Sequence, residues 1–208
     1  MREEHLIGRP RIRANAVAAL LILFCHFIPS AVAAPQAVLP GDSIYNIASE
    51  WTTQDGKTVR LESLRGRPVV VAMIYLNCPD VCPLIAENMQ RIEADLPKPI
   101  SEDVEFALFS FDSSRDTPDK LKTYASARGL DLQHWTLYRS SDMAARELAA
   151  ALDVTFRRTE EGAFDHSVMI SLLNADGVVV YRQIGLTGDT KDFVSRIKAL
   201  GANSPDGD

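Results

Sequence analysis

The chain has 208 residues, 46% of them apolar, which suits one α/β domain with short extensions and is enough for a real core; there is no internal repeat or low-complexity tract. Its formal net charge is −6; residues 1–33 carry four Arg and two Glu, so the remainder holds 18 basic and 26 acidic side chains, a formal −8. That sign argues against a nucleic-acid partner, whose phosphates need a basic surface.

Arg2, Arg9, Arg11 and Arg13 make a basic start, Ala14 to Ile28 is almost wholly apolar, and Ala31-Val32-Ala33 offers a small-residue cleavage site. Residues 1–33 therefore read as a secretory signal, and the protein is expected in the periplasm or an equivalent exported space. The apolar run is shorter than the roughly 20 residues of a membrane span, so cleavage is favoured over an uncleaved anchor tethering the chain to the inner membrane. Phe24, bulky where a lipoprotein signal carries a small residue, argues against lipidation of Cys25.

Residues 34–42 read as a linker, and Pro35 to Ser49 as extended, loop-like chain. Thr52 to Leu61 suggests a hairpin about the Asp55-Gly56 turn pair. Leu64 to Pro68 is a turn feeding Val69–Tyr75, an apolar run rich in β-branched residues that predicts a buried strand. Pro83 suits the first turn of a helix; Leu84, Ile85, Met89, Ile92 and Leu96 follow at helical spacing, and Pro97 and Pro99 stop it. Val104–Phe111 is the next strand. In the polar loop Asp112–Thr117, Asp112 and Asp116 read as capping acids, and Thr117-Pro118-Asp119 starts a helix that carries Leu121, Tyr124 and Ala125 and ends at Gly129. Trp135–Tyr138 is a short strand, and Ser141-Asp142 caps a helix carrying Met143, Leu148 and Leu152. Val154–Arg158 reads as a strand, Gly162 as a turn, and Phe164-Asp165-His166 as a loop before the strand Val168–Leu173. The Asn174–Gly177 turn returns the chain as Val178–Ile184, Thr190–Leu200 is a last helix, and residues 201–208 read as a disordered tail. This order predicts a thioredoxin-like α/β fold over residues 43–200: a central mixed β-sheet flanked by helices, with an N-terminal hairpin.

After the signal only Cys78 and Cys82 remain, at the strand-to-helix junction, where a helix dipole favours the thiolate. A disulfide between residues this close would close a tiny loop and stabilise the fold little, so redox or metal chemistry is the better account. The pair can close only if Cys78 lies outside the regular helix, because positions i and i+4 hold their Cβ atoms about 5–6 Å apart. The spacing also suits two thiolates converging on a soft ion such as copper(I) or zinc. Of the two remaining histidines, His134 beside Trp135 reads as a packing or surface residue. His166, in a loop that a thioredoxin-like sheet lays beside the cysteine junction, reads equally as a third ligand or as a satisfied polar residue. Met73, Met89 and Met169 read as core. There is no Gly-rich phosphate loop and no paired-histidine zinc motif.

Four blocks resemble the Sco/SenC family of copper-binding, cytochrome-oxidase assembly proteins: Asp55-Gly56-Lys57 through Arg67-Pro68; Tyr75 to Pro83 with its Cys-Pro-Asp-Val-Cys-Pro core; Ser110-Phe111-Asp112 with Arg115-Asp116-Thr117-Pro118, Leu121 and Tyr124; and Asp165-His166-Ser167 with the Asp176-Gly177 turn. The resemblance runs from about Ser43 to the end of the last helix. It implies one copper ion, Cu(I) or Cu(II), held by Cys78, Cys82 and His166. Asp165 reads equally as a group that orients His166 by hydrogen bonding or as a loop acid facing water. It also implies a periplasmic copper donor, and as acceptor the binuclear copper centre of a cytochrome c oxidase subunit or another exported cuproenzyme, such as a nitrite or nitrous oxide reductase. Leu76-Asn77 stands where relatives more usually have Thr-His, Ser113 where many have proline, and Trp51-Thr52-Thr53 also marks a divergent branch. None touches a proposed ligand, but together they leave the acceptor open.

The alternative is an enzyme, with Cys78 and Cys82 as the redox pair of a thiol–disulfide reductase that keeps a target's copper-ligand cysteines reduced. Thioredoxin-type oxidoreductases place a cis-proline where this chain has His166, with no proline between Pro118 and Pro205, which favours metal carriage. A peroxidase of the peroxiredoxin kind would carry a proline and a Thr or Ser where this chain has Val71 and Tyr75.

Overall fold

The computed structural model describes residues 38–78, 81–186 and 189–201. The expected signal, residues 34–37 of the linker and residues 202–208 of the expected tail lie outside the described residues. Among the described residues no helix is long and apolar enough to cross a membrane.

A seven-stranded mixed sheet forms the centre, in the order β2 (Thr58–Arg60), β1 (Glu50–Thr53), β5 (Trp135–Arg139), β4 (Glu105–Ser110), β3 (Val69–Ile74), β8 (Met169–Leu173) and β9 (Val179–Ile184). β3 and β4 lie inside the sheet and are buried along their whole length; β3 runs parallel to β4 and antiparallel to β8, while β4 is also parallel to β5. A strand covered on both faces reads as a continuous apolar run rather than an alternating one, which is what Val69–Ile74 shows. The expected N-terminal hairpin is present as β1–β2 and joins the sheet through β5.

The helices are α1 (Val81–Ala94), the single turn α2 (Lys98–Ser101), α3 (Pro118–Ala127), α4 (Asp142–Leu152) and α5 (Thr190–Gly201). Thr117 and Ser141 cap α3 and α4 as their sequence predicts, each hydroxyl accepting from an N–H three residues on. α1 packs on β3 and against α5. Its buried stripe is Cys82, Ile85, Ala86, Met89 and Ile92, so Leu84 turns outward and is 46% exposed. In α4 the buried stripe is Ala144, Ala145, Leu148, Ala149 and Leu152, and Met143, expected on the apolar face, is 80% exposed. Met73, Met89 and Met169 are core residues, as expected.

The described part of Pro35–Ser49, residues 38–49, is less loop-like than its sequence suggests. Ile44–Asn46 forms one 3-10 turn, with Ile44 and Tyr45 buried. The Tyr45 hydroxyl donates to the Leu64 carbonyl at 3.2 Å, and its ring lies against Gly177, where an added Cβ would approach it within 2.6 Å. Gly177 also has φ +78°, so both the turn and the close approach demand glycine.

The largest departure lies before β8. Phe164-Asp165-His166 is a strand, β7, paired with β6 (Phe156–Arg158) in a separate two-stranded sheet with His166 opposite Phe156.

Candidate metal centre

β3 delivers the chain to Tyr75, a tight turn carries it through Leu76 and Asn77 to Cys78, and α1 begins at Val81. Cys78 thus lies outside the helix, while Cys82 is in its first turn, fully buried. The Cys82 N–H points at Cys78 Sγ at 3.4 Å, and no disulfide joins the two. The turn is held from elsewhere: the Leu76 N–H donates to Asp116 Oδ2 at 3.1 Å, and Ser110 Oγ donates to the same oxygen at 2.6 Å.

From the β6–β7 hairpin, His166 reaches Cys82. Its Nε2 lies 3.5 Å from Cys82 Sγ, and its Nδ1 lies 3.0 Å from the Ser167 carbonyl oxygen. A carbonyl can only accept, so Nδ1 carries the proton and the Nε2 lone pair faces the thiols. One donor atom each from Cys78, Cys82 and His166 lie within 4.8 Å of one another. Of the two readings the sequence leaves open for His166, the geometry puts the imidazole with the cysteines.

Aromatic rings wall the imidazole. Phe111 lies 5.2 Å and Tyr75 6.0 Å from it between ring centroids. Phe111 also stacks on Phe156 at 4.7 Å and meets Phe164 edge-on at 5.1 Å. Cys82 reverses an expectation. Burial pushes its thiol well above the ordinary range, against a lowering hydrogen bond from the Tyr75 backbone. A metal held there as a thiolate complex would displace the thiol proton.

Of the two readings of Asp165, the structure shows the acid facing water. Neighbouring residues on a strand point to opposite faces, and the Asp165 carboxylate pairs with Arg157 across the hairpin at 2.9 Å, in an exposed ion pair. The group that meets Nδ1 is the Ser167 carbonyl. His134 stands apart, at the start of β5.

Asp112 and Asp116 are not helix caps; Thr117 holds that place, and both acids are buried. Asp112 accepts from Arg115, from Ser114 Oγ at 3.0 Å and from Arg158 of β6 at 3.2 Å. Asp116 anchors the cysteine turn, its pKa raised by burial. Neither partnership was readable from the loop's polar composition.

The SCO1/SenC family model matches residues 42–201. The chain is similar to the SCO1 protein homolog of Bacillus subtilis (strain 168), at 29% identity over 153 residues, 72% of this chain and 79% of that one. Among solved structures it is similar to Bradyrhizobium japonicum ScoI with copper bound, at 26% identity and a TM-score of 0.62, covering 73% of this chain and 96% of that one. It is also similar to BsSco, described as a member of the Sco family of cytochrome c oxidase assembly proteins with a disulfide switch, at 27% identity and a TM-score of 0.66, covering 74% of this chain and 92% of that one. Because the match runs through the β1–β2 hairpin, the cysteine turn, the histidine hairpin and the last helix rather than the cysteine motif alone, the chain belongs to the SCO1/SenC family.

Proposed function

We propose that this protein is a copper carrier: Cys78, Cys82 and His166 take up one copper ion and pass it to the binuclear copper centre of cytochrome c oxidase or of a related exported cuproenzyme. The observation that carries this reading is the convergence of two thiols and an imidazole nitrogen within 4.8 Å. Soft sulfur donors with one imidazole suit copper(I), and an added weak ligand lets the same set hold copper(II). The copper-bound Bradyrhizobium relative supports the cargo, and the description of BsSco as belonging to an oxidase assembly family supports the destination. Copper is cargo here, loaded from a donor in the periplasm or an equivalent space, where a retained N-terminal segment would tether the carrier to the membrane.

A second reading is favoured by the cysteine geometry. With Cys78 outside α1 and its sulfur 3.4 Å from the Cys82 N–H, the thiols are close enough to act together in disulfide exchange. The pair would give two electrons and two protons to a target disulfide, leaving two target thiols and a Cys78–Cys82 disulfide. That oxidation removes both thiolates, so the same step governs copper release, in keeping with the disulfide switch named for BsSco.

The test is an anaerobic copper(I) titration of the reduced full-length chain against a competing chelator, with Cys78→Ser, Cys82→Ser and His166→Ala alongside. The expected result is one tight equivalent, weakened in each variant by at least the roughly 10–100-fold that loss of an outer partner alone costs. A wild type that does not compete for copper(I), or a His166→Ala variant indistinguishable from it, would overturn the carrier reading and leave the thiol–disulfide pair.

A further inference from the structure

The donors of the centre come from two separate sheets. Both cysteines belong to the β3–α1 junction of the main sheet, whereas His166 belongs to a hairpin whose strands pair only with each other. Closure of the site therefore depends on how that hairpin is fixed to the rest of the domain. The stacking of Phe111 on Phe156 and the edge-on approach to Phe164 hold it by apolar contact, which resists separation but directs position weakly.

A directional tie is also present. The Arg158 guanidinium donates to Asp112 Oδ1 and to Ser114 Oγ, both at 3.2 Å, and lies over the Phe164 ring at 4.8 Å. Asp112 is wholly buried and shares its other oxygen with Arg115 from its own loop. Arg158 thus bonds, from the hairpin, to a carboxylate that water does not reach, and charge-assisted bonds of this kind fix geometry as well as proximity. The loop that carries Asp112 also carries Asp116, which holds the Leu76 N–H beside Cys78. One loop is therefore bonded to both halves of the donor set.

We propose that Arg158 is a positioning residue for the metal centre: through Asp112 it sets the hairpin so that His166 Nε2 meets the two sulfurs. This rests on the copper-carrier reading. Arg158 touches no proposed ligand, and its effect is carried by the placement of His166.

The experiment compares Arg158→Gln, Arg158→Lys, His166→Ala and the double variant Arg158→Gln/His166→Ala in the reduced full-length chain. It reads copper(I) affinity by chelator competition and, for the copper(II) form, nitrogen hyperfine structure in the electron paramagnetic resonance spectrum. Arg158→Gln is expected to weaken copper(I) by about 10–100-fold with one equivalent retained, the size of effect that loss of an outer partner has on a metal site. Its nitrogen hyperfine structure should be broadened or lost, Arg158→Lys should fall between it and wild type, and in the His166→Ala background the change should add nothing. An Arg158→Gln variant with wild-type affinity and spectrum overturns the proposal. So does a loss of equal size in the His166→Ala background, which would place its effect on the cysteine half or on the fold. The two failures are separable. If His166→Ala itself binds like wild type, the copper-carrier reading falls; if His166→Ala is weakened and Arg158→Gln is not, only the role of Arg158 falls.

Discussion

The cysteine turn is tied to a distant loop through a single backbone N–H. Leu76 donates to Asp116, a carboxylate buried behind Ser110 and forty positions further along the chain. Asp116→Ala leaves the Leu76 N–H and the Ser110 hydroxyl without their acceptor and is expected to lower stability by about 1–3 kcal/mol. Asp116→Asn keeps an acceptor for Leu76 and should cost less. Urea denaturation of the three proteins checks this, and an alanine variant within about 0.5 kcal/mol of wild type would show the bond to be unimportant. The two cysteines and the histidine that the structure brings together are legible in the sequence, since two cysteines at a strand-to-helix junction ask for chemistry and a histidine before a late strand falls beside them. The residues that hold the donors are not. A polar loop reads as solvated, and nothing local tells that Asp112 and Asp116 are buried against groups on β6 and on the cysteine turn. The Cys82 thiol is a similar case: the helix start is visible in the sequence, but the complete burial of the side chain comes only with folding.

At the scale of elements, long periodic segments are readable and short ones are not. Val69–Ile74 and the helices capped by Thr117 and Ser141 carry enough pattern to be placed from sequence. β7 has only Phe164, Asp165 and His166, and a strand this short, paired with an equally short partner, is set by the rings it packs against rather than by periodicity. Leu84 and Met143 fall off their apolar stripes because a helix buries about a third of its surface, and hydrophobicity alone does not choose which third. β4 makes a further prediction. Glu105 opens this strand almost wholly buried, with Thr136 Oγ1 donating to it at 2.6 Å and Arg67 3.4 Å away. Burial raises its pKa above the ordinary 4.5, with the Thr136 bond and Arg67 pulling against it. Folding therefore favours the protonated form, and the stability this group contributes is full below pH 4.5 and is lost as pH rises through the raised value. Glu105→Gln removes that dependence. Urea unfolding of both proteins across this range should show wild type losing stability relative to the variant as pH rises; a difference that is flat or grows would contradict it.

For the whole molecule, the sheet supplies a rigid platform and the chemistry lies where three connections meet: the cysteine turn after β3, the loop after β4 and the hairpin before β8. The order of strands and helices was enough to expect a thioredoxin-like sheet. The separate hairpin sheet was not, because it interrupts no pattern and adds only a few paired residues. Its consequence is that a donor set of two sulfurs and one nitrogen is assembled from parts held by different forces, backbone pairing on one side and aromatic and ionic contacts on the other. The most direct test of that assembly is X-ray absorption at the copper edge of the full-length chain loaded anaerobically with one equivalent of copper(I). The account predicts a single copper with two sulfur donors and one nitrogen donor, the nitrogen being lost in His166→Ala. A spectrum with sulfur donors alone, unchanged by removal of His166, would contradict it.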